Sequence, residues 1–172
     1  LLSTDSLNSI RGIEGEAART YYEVFNHLIL HQADDFQFNG RSRRPPLDRT
    51  NAVLSFLYSL LAHECSAALE TVGLDQQVGF LHRIRPGRHS LALDLMEELR
   101  PYLVDRLTLS LINMRQITGK DFVTKESGAV LLTDEGRKKV IDAWQRRKQQ
   151  TLIHPYLDEK IEVGLIPYAK AL

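Results

Sequence analysis

The 172-residue sequence lacks several features that define broad protein classes. It has one cysteine, so an intrachain disulfide is impossible and a reducing environment is expected. No uninterrupted apolar run reaches the roughly 18–20 residues of a membrane-spanning helix, and we expect no signal peptide. A phosphate-binding loop, a dinucleotide fingerprint and a nucleophile elbow are also missing. These absences favour a cytoplasmic protein and exclude disulfide scaffolds and the common nucleotide-binding and hydrolase motifs.

An excess of one charge is missing too, because 22 Lys and Arg residues balance 22 Asp and Glu residues. Dedicated nucleic-acid binders usually carry a basic excess, so the net charge argues mildly against DNA as a partner. The arginines are nevertheless clustered, in RSRRPPLDR at 41–49 and around Pro86-Gly87. A third basic cluster, at 137–139 and 146–148, falls on a predicted helix. We interpret this third cluster as a solvated helix face.

Hydrophobic periodicity predicts a mainly α fold with one small β-hairpin, in a single domain over 1–172. Long helices are predicted over about 5–31, 47–72 and 134–150, with a final helix over 158–172. A helix from about 91 continues to about 117, with a kink or break at Pro101. Ser127-Gly128 lies in the predicted hairpin at 121–133. The second helix is apolar nearly all round, which indicates a central core helix and a buried Cys65.

Four residues stand in positions that favour metal chemistry. Glu14 lies between Gly12 and Gly15 on the first helix, which suggests that something approaches the backbone there. His82 follows an apolar stretch at a loop edge, and Asp94 and Glu97 share one face of an otherwise apolar helix. Carboxylates in such a stripe cost desolvation energy unless a cation compensates. Carboxylate and imidazole ligands together suit Mg²⁺ or Mn²⁺.

Ordinary structural roles explain the same residues from spacing alone. In this interpretation Glu14 pairs with Arg11 or Arg19, and Glu97 with Arg100, as ordinary helix salt bridges. His82 fits a histidine that stabilises a loop. The spacing leaves both interpretations open.

Four long segments resemble one protein family, in the family's order. They are RGIEGEAARTYYEVF at 11–25, RSRRPPLDRTNAVLSFLYSLL at 41–61, GLDQQVGFLHRIRPGRHSLALDLMEELRP at 73–101 and FVTKESGAVLLT at 122–133. They resemble the C-terminal catalytic domain of the CRISPR-associated spacer integrases, the universal nucleases of CRISPR adaptation. The resemblance covers almost the entire chain.

This resemblance implies a metal-dependent DNA endonuclease and integrase. In the family's reaction, a 3′-hydroxyl of a short foreign DNA attacks a phosphodiester at the boundary of the CRISPR array. Glu14, His82 and Glu97 would be the catalytic ligands of Mg²⁺ or Mn²⁺, and Asp94 an auxiliary acidic group. The residues implied to contact DNA phosphates are Arg41, Arg43, Arg44, Arg83, Arg85 and Arg88.

The implied partners are double-stranded DNA, branched or with 3′ overhangs, and the family's small ferredoxin-like nuclease. Full-length members form homodimers through a β-rich N-terminal domain, which we expect to be absent here. The location implied is the cytoplasm of a prokaryote. Two alternatives remain: a general metal-dependent nuclease for branched DNA, and a non-catalytic helical interaction domain.

Overall fold

The computed structural model describes residues 6–153 and 160–162, and it begins with a surface helix. Helix α1 spans Leu7–Val24, with the Ser6 hydroxyl accepting the Ser9 amide at its start, and a 3₁₀ turn at Phe25–Leu28 follows. None of its residues is buried. A Cβ added at Gly12 or Gly15 would meet no described atom within 4 Å, so within the described residues no other part of the fold packs closely against the helix there.

The central element is helix α2, Arg49–Thr71, which the sequence predicts almost to the residue. The Asp48 carboxylate accepts the Asn51 amide at 2.7 Å and so caps the first turn. Gly73, at φ +79°, ends the helix, and the Leu74 amide reaches back to the Leu69 carbonyl. By length and composition α2 could cross a membrane, but ten of its residues are buried in this fold. Its apolar character is therefore accounted for by a core position.

Helix α3, Ser90–Arg100, passes through Pro101 without a break. A π-helical turn over Pro101–Asp105 carries the chain into helix α4, Arg106–Asn113. Because a proline has no N–H to donate, a locally wider turn accommodates it. Helix α4 ends four residues before the predicted 117, and Arg115 there takes a left-handed conformation at φ +54°.

The predicted hairpin is confirmed: β1, Phe122–Thr124, pairs antiparallel with β2, Val130–Leu132. Helix α5, Asp134–Lys148, follows, with Thr133 as its cap. A second antiparallel pair joins β3, Thr151–Ile153, to β4, Lys160–Glu162. The predicted final helix is therefore wrong at 160–162, and its other residues lie outside the described ones. The mainly α fold is confirmed, with a second two-stranded pair added.

The core lies where α2, α3 and the π turn pack against the hairpin and α5. Its largest fully buried side chains come from every part of the described chain, among them Phe25, Phe36, Leu54, Leu57, Leu103 and Trp144. Cys65 belongs to this core, as predicted, and burial raises the pKa of its thiol to about 12. The fold thus presents α1 and the loop over 79–89 on one side of the α2–α3 pair.

Candidate metal and DNA site

The loop before α3 is held by one buried carboxylate, Asp94. Its Oδ2 accepts the backbone amides of Phe80 at 2.7 Å and Leu81 at 3.1 Å. Its Oδ1 accepts the His82 amide at 2.8 Å and lies 2.7 Å from Nδ1 of the same histidine. With its side chain fully buried and both oxygens occupied, Asp94 orients the loop and the imidazole. The ring nitrogen Nε2 of His82 remains for an outside ligand.

Gly79 makes this arrangement sterically possible. A Cβ at Gly79 would lie 2.6 Å from the Ser90 Cβ and 2.8 Å from the Asp94 Oδ2. The Ser90 hydroxyl in turn donates to the Arg83 carbonyl at 3.0 Å. Sequence reasoning missed Gly79, although its place three residues before the candidate histidine was the available signal.

Helix α1 contacts the same loop from the other side. Arg11 donates from Nε to the Leu81 carbonyl at 2.5 Å, and Arg83 donates to the Asn8 side chain at 3.1 Å. Within the described residues Glu14 forms no ion pair, because Arg19 pairs with Glu16 and Glu23 instead. The salt-bridge interpretation therefore fails for Glu14. A cleft between helix and loop is lined by Arg11, Glu14, Leu81, His82, Arg83 and Arg88.

Glu97 lies on the other side of His82, where a cavity of about 260 Å³ opens. Its Oε2 lies 2.5 Å from Nη1 of Arg100, and the two side chains are 23% and 16% exposed. Here the salt-bridge interpretation is confirmed, in a half-buried setting. Burial raises the pKa of Glu97, and the Glu14 carboxylate adds to the rise, while Arg100 and His82 oppose it. The three predicted ligands therefore interact electrostatically.

The structure does not gather these ligands into a closed metal cluster. In the part of the chain that is described, no three His, Cys, Asp or Glu side chains lie close enough to hold a metal ion. His82 lines both the cleft with Glu14 and the cavity with Glu97, so it stands between the two carboxylates. The roles of Glu14, His82 and Glu97 as ligands stay predictions.

The predicted DNA-contacting arginines divide into three groups. Arg43, Arg44 and Arg88 line the cavity beside Glu97, and Arg88 also lines the cleft with Glu14. Arg41 lines it too, but its guanidinium is held by Asn51 and Ser55 and lies 5.0 Å over the Tyr58 ring. Arg83 lines the cleft near Glu14, and Arg85 is exposed and lines neither.

The arginine-bearing loop is anchored on both sides of its tip. The Asn51 side chain accepts the Ser42 amide at 3.1 Å and donates to the Gly40 carbonyl at 2.8 Å. After the tip, the Pro46 carbonyl accepts the Val130 amide at 2.9 Å and so ties the loop to the hairpin. Arg43 and Arg44 therefore project from a short, fixed segment. No sequence pattern indicated that Asn51 holds this loop.

The third basic cluster is solvated in part, as the sequence predicts: residues 137–139 and 146 are exposed, whereas Arg147 lies 4.4 Å over the Tyr102 ring and Lys148 is half-buried. Arg137 pairs with Asp134, Lys139 with Asp121, and Lys148 with Glu64. These cations are balanced by acids of the fold, so we assign them no part in the site.

Comparisons by sequence and by structure match the same group of known proteins. A family profile described as "CRISPR associated protein Cas1" matches residues 1–146. A curated relative from Rhodospirillum rubrum, "CRISPR-associated endonuclease Cas1 2", is 62% identical over 98% of this chain and 49% of its own length. Two solved structures, a "Casposase bound to integration product" and a "Partial Cas6-RT-Cas1--Cas2 complex", superpose with TM-scores of 0.85 and 0.80.

The two structures are 30% and 29% identical to this chain; each match covers 98% of it, and 47% and 49% of the other chain. The chain therefore spans about half the length of these proteins. The profile match alone extends over more than three quarters of its residues. The chain belongs to the Cas1 family.

Proposed function

We propose that this chain is the catalytic part of a metal-dependent DNA endonuclease and integrase of CRISPR adaptation. In this function it inserts short foreign DNA by attack of a 3′-hydroxyl on a phosphodiester. One observation supports this most: an imidazole, fixed by the buried Asp94, stands between two carboxylates beside an arginine-lined cavity. The neighbouring casposase, solved with an integration product, supports the same chemistry.

The side chains at this site are suitable ligands for a divalent cation. Histidines that bind metals typically donate their second ring nitrogen to a carboxylate, as His82 does to Asp94. Glu14, Glu97 and Nε2 of His82 would hold Mg²⁺ or Mn²⁺, with the imidazole tilting the preference towards Mn²⁺. Bound there, the metal supplies Lewis-acid stabilisation of charge on the phosphoryl oxygens.

The side chains of the chain itself position the reacting DNA. Cavity arginines contact phosphates without reading sequence, and Arg41 does so from a fixed orientation over Tyr58. The incoming 3′-oxygen loses its proton and bonds to phosphorus, while the phosphorus–O3′ bond of the target breaks. The released 3′-oxygen then takes up a proton. By accepting from Nδ1, Asp94 selects the tautomer of the neutral imidazole in which Nε2 carries the free lone pair.

The proposed partners follow from the relatives. The complex with Cas2 supports a small ferredoxin-like partner for the full-length protein, and the casposase supports DNA. The proposed DNA is double-stranded, branched or carries 3′ overhangs. The proposed assembly is a homodimer in the cytoplasm of a prokaryote.

Calorimetric titration with Mn²⁺ tests the metal site. Parent protein is expected to bind saturably, and Glu14→Ala, His82→Ala and Glu97→Ala are each expected to abolish or strongly weaken binding. Glu16→Ala is the matched control, because Glu16 lies two residues from Glu14 on α1 but pairs with Arg19 on the surface. Unchanged binding in the three variants would disprove the ligand set.

A strand-transfer assay separates the proposed reaction from its alternatives. Donor DNA ending in a 3′-hydroxyl is expected to be joined to target DNA, and donor ending in a dideoxynucleotide is not. Cleavage that ignores the donor end would indicate a general nuclease. Absence of metal binding and of cleavage would favour a helical interaction domain.

A further inference from the structure

Behind Tyr58, which lines the arginine-lined cavity, lies a buried carboxylate, Asp105, that is only half satisfied. Its side chain is fully buried, and Oδ1 accepts the Tyr58 hydroxyl at 2.5 Å. The Tyr58 hydroxyl is also 2.6 Å from that of Tyr22. No described residue donates to Oδ2 with hydrogen-bond geometry, although the Tyr21 hydroxyl also faces this carboxylate. A buried carboxylate oxygen without a donor is costly, so Oδ2 requires an explanation.

Arg100 shows the complementary deficiency. One terminal nitrogen of its guanidinium pairs with Glu97, yet its buried Nε has no acceptor within the described residues. A guanidinium offers five N–H donors in a rigid plane and is well suited to a carboxylate. A cation with spare donors thus lies near an anion with a spare acceptor.

Tyr58 links these two groups. Its side chain lines the same cavity as Arg100 and Glu97, and its hydroxyl donates to Asp105. The π turn over Pro101–Asp105 joins the helix that ends at Arg100 directly to Asp105. Burial raises the pKa of Asp105, while the Tyr58 hydrogen bond, the Arg100 charge and the Tyr21 hydroxyl oppose the rise.

Glu97 cannot bind Arg100 and a divalent metal ion equally well at the same time. In the proposed function it ligates a divalent metal, but in this structure Arg100 holds its Oε2. A guanidinium and a metal ion on the same carboxylate repel each other, most strongly in a partly desolvated cavity. Binding the metal therefore requires another acceptor for Arg100.

We propose that Asp105 is that acceptor: Arg100 pairs with Glu97 in the metal-free protein and turns to Asp105 Oδ2 when a divalent cation takes Glu97. This inference rests on the proposed function. Asp105 and Arg100 are positioning residues, since they act on the metal through Glu97. The exchange leaves Glu97 and Arg100 each with an oppositely charged partner in both states, without adding or removing a proton.

Four proteins in Mn²⁺ calorimetry test the exchange: the parent, Arg100→Met, Asp105→Asn and the double variant. Arg100→Met removes the competitor and is expected to tighten binding roughly tenfold, a usual size for coupled sites. Asp105→Asn keeps an acceptor for Tyr58 but loses the charge that receives Arg100, and is expected to weaken binding by about as much.

The double variant separates exchange from simple electrostatics. If Asp105 acts by receiving Arg100, Asp105→Asn has no effect on Mn²⁺ affinity once Arg100 is Met. If Asp105 only attracts the metal at a distance, the same loss persists in both backgrounds, and the proposal is overturned while the metal site stands. Absence of Mn²⁺ binding in the parent would overturn the proposed metal site and this inference together.

A second measurement uses unaltered protein, in case Asp105→Asn does not fold. The Arg100 Nε–H resonance is followed by NMR while Mg²⁺, which is diamagnetic, is added. Transfer to Asp105 is expected to shift this resonance and slow its exchange with water, with Arg19 as an internal control that pairs on the surface. A saturated Mg²⁺ site with an unchanged Arg100 resonance would overturn the proposal.

Discussion

The two sides of the candidate site are built differently. On the α3 side, His82 and Asp94 form four hydrogen bonds or close polar contacts around a fully buried carboxylate. On the α1 side, Glu14 stands on a helix with no buried residue, tied to the loop through Arg11 and Asn8. The α3 side is therefore fixed by the fold, while the α1 side depends on a few surface contacts. We therefore expect a bound ligand to order the α1 side of the site more than the α3 side.

Removing the central carboxylate gives the largest expected effect. Asp94→Ala leaves three backbone amides and one imidazole N–H without their acceptor, and is expected to lower the free energy of unfolding by about 3 kcal/mol. Glu14→Ala, on the other side, is expected to change it by less than about 0.5 kcal/mol. Urea denaturation measures both. Equal losses would contradict the difference between the two sides.

The second-largest expected difference between the two sides of the site comes from glycine-to-alanine substitutions. Gly79→Ala forces a Cβ against Ser90 and Asp94, and is expected to cost about 2 kcal/mol. Gly15→Ala on α1 enters open space and is expected to stabilise the protein by about 0.5–1 kcal/mol. Thermal melts of the two variants should therefore shift in opposite directions. A stable Gly79→Ala protein would show that the loop can move away from α3.

The hydrogen bond between α1 and the loop is expected to contribute less to stability. Arg11→Met removes the hydrogen bond to the Leu81 carbonyl and is expected to cost about 1 kcal/mol, a roughly fivefold change in local opening. Hydrogen exchange should become faster in α1 and stay unchanged in α3. Arg19→Met, whose partners Glu16 and Glu23 lie on the same helix, serves as the control. Faster exchange in α3 would mean that α1 supports the buried side as well.

The smallest effect concerns the titration of Glu97. Because burial raises its pKa in the folded state, the folded protein keeps this proton after the unfolded chain, near pH 4.3, has released it. Stability attributable to Glu97 therefore falls as pH rises from the unfolded to the folded pKa, and then stays level. The difference in unfolding free energy between Glu97→Gln and the parent should grow across that interval. A carboxyl ¹³C NMR midpoint below the ordinary value would contradict it.

Local patterns singled out the candidate residues and the core helix. Glu14, His82 and Glu97 are polar residues in apolar or glycine-flanked settings, and their roles as ligands stay predictions, although His82 lines both the cleft with Glu14 and the cavity with Glu97. The core helix α2 followed from its continuous apolar surface, its Asp48 cap and its Gly73 ending. Such features depend on neighbours within a few residues of each other.

What the sequence could not predict depends on contacts between distant segments. Asp94 reaches a loop 12 to 14 residues away, and spacing alone did not show that its two oxygens hold four N–H groups. Pro101 predicted a kink or break, but tertiary packing selected a π turn instead. The pairing of 160–162 with 151–153 likewise overrode a local preference for helix.

For the DNA binding proposed above, the anchoring of the arginine loop has an entropic consequence. A free loop would lose backbone freedom when DNA ordered it, at about 1–2 kcal/mol for each residue fixed. Here Asn51 and the hairpin have already fixed both flanks, in the folding of the protein itself. DNA then has only the side chains of Arg43 and Arg44 to immobilise, at about 0.5–1.5 kcal/mol each. The hairpin, far from the reacting atoms, thereby lowers the entropic cost of holding a phosphate.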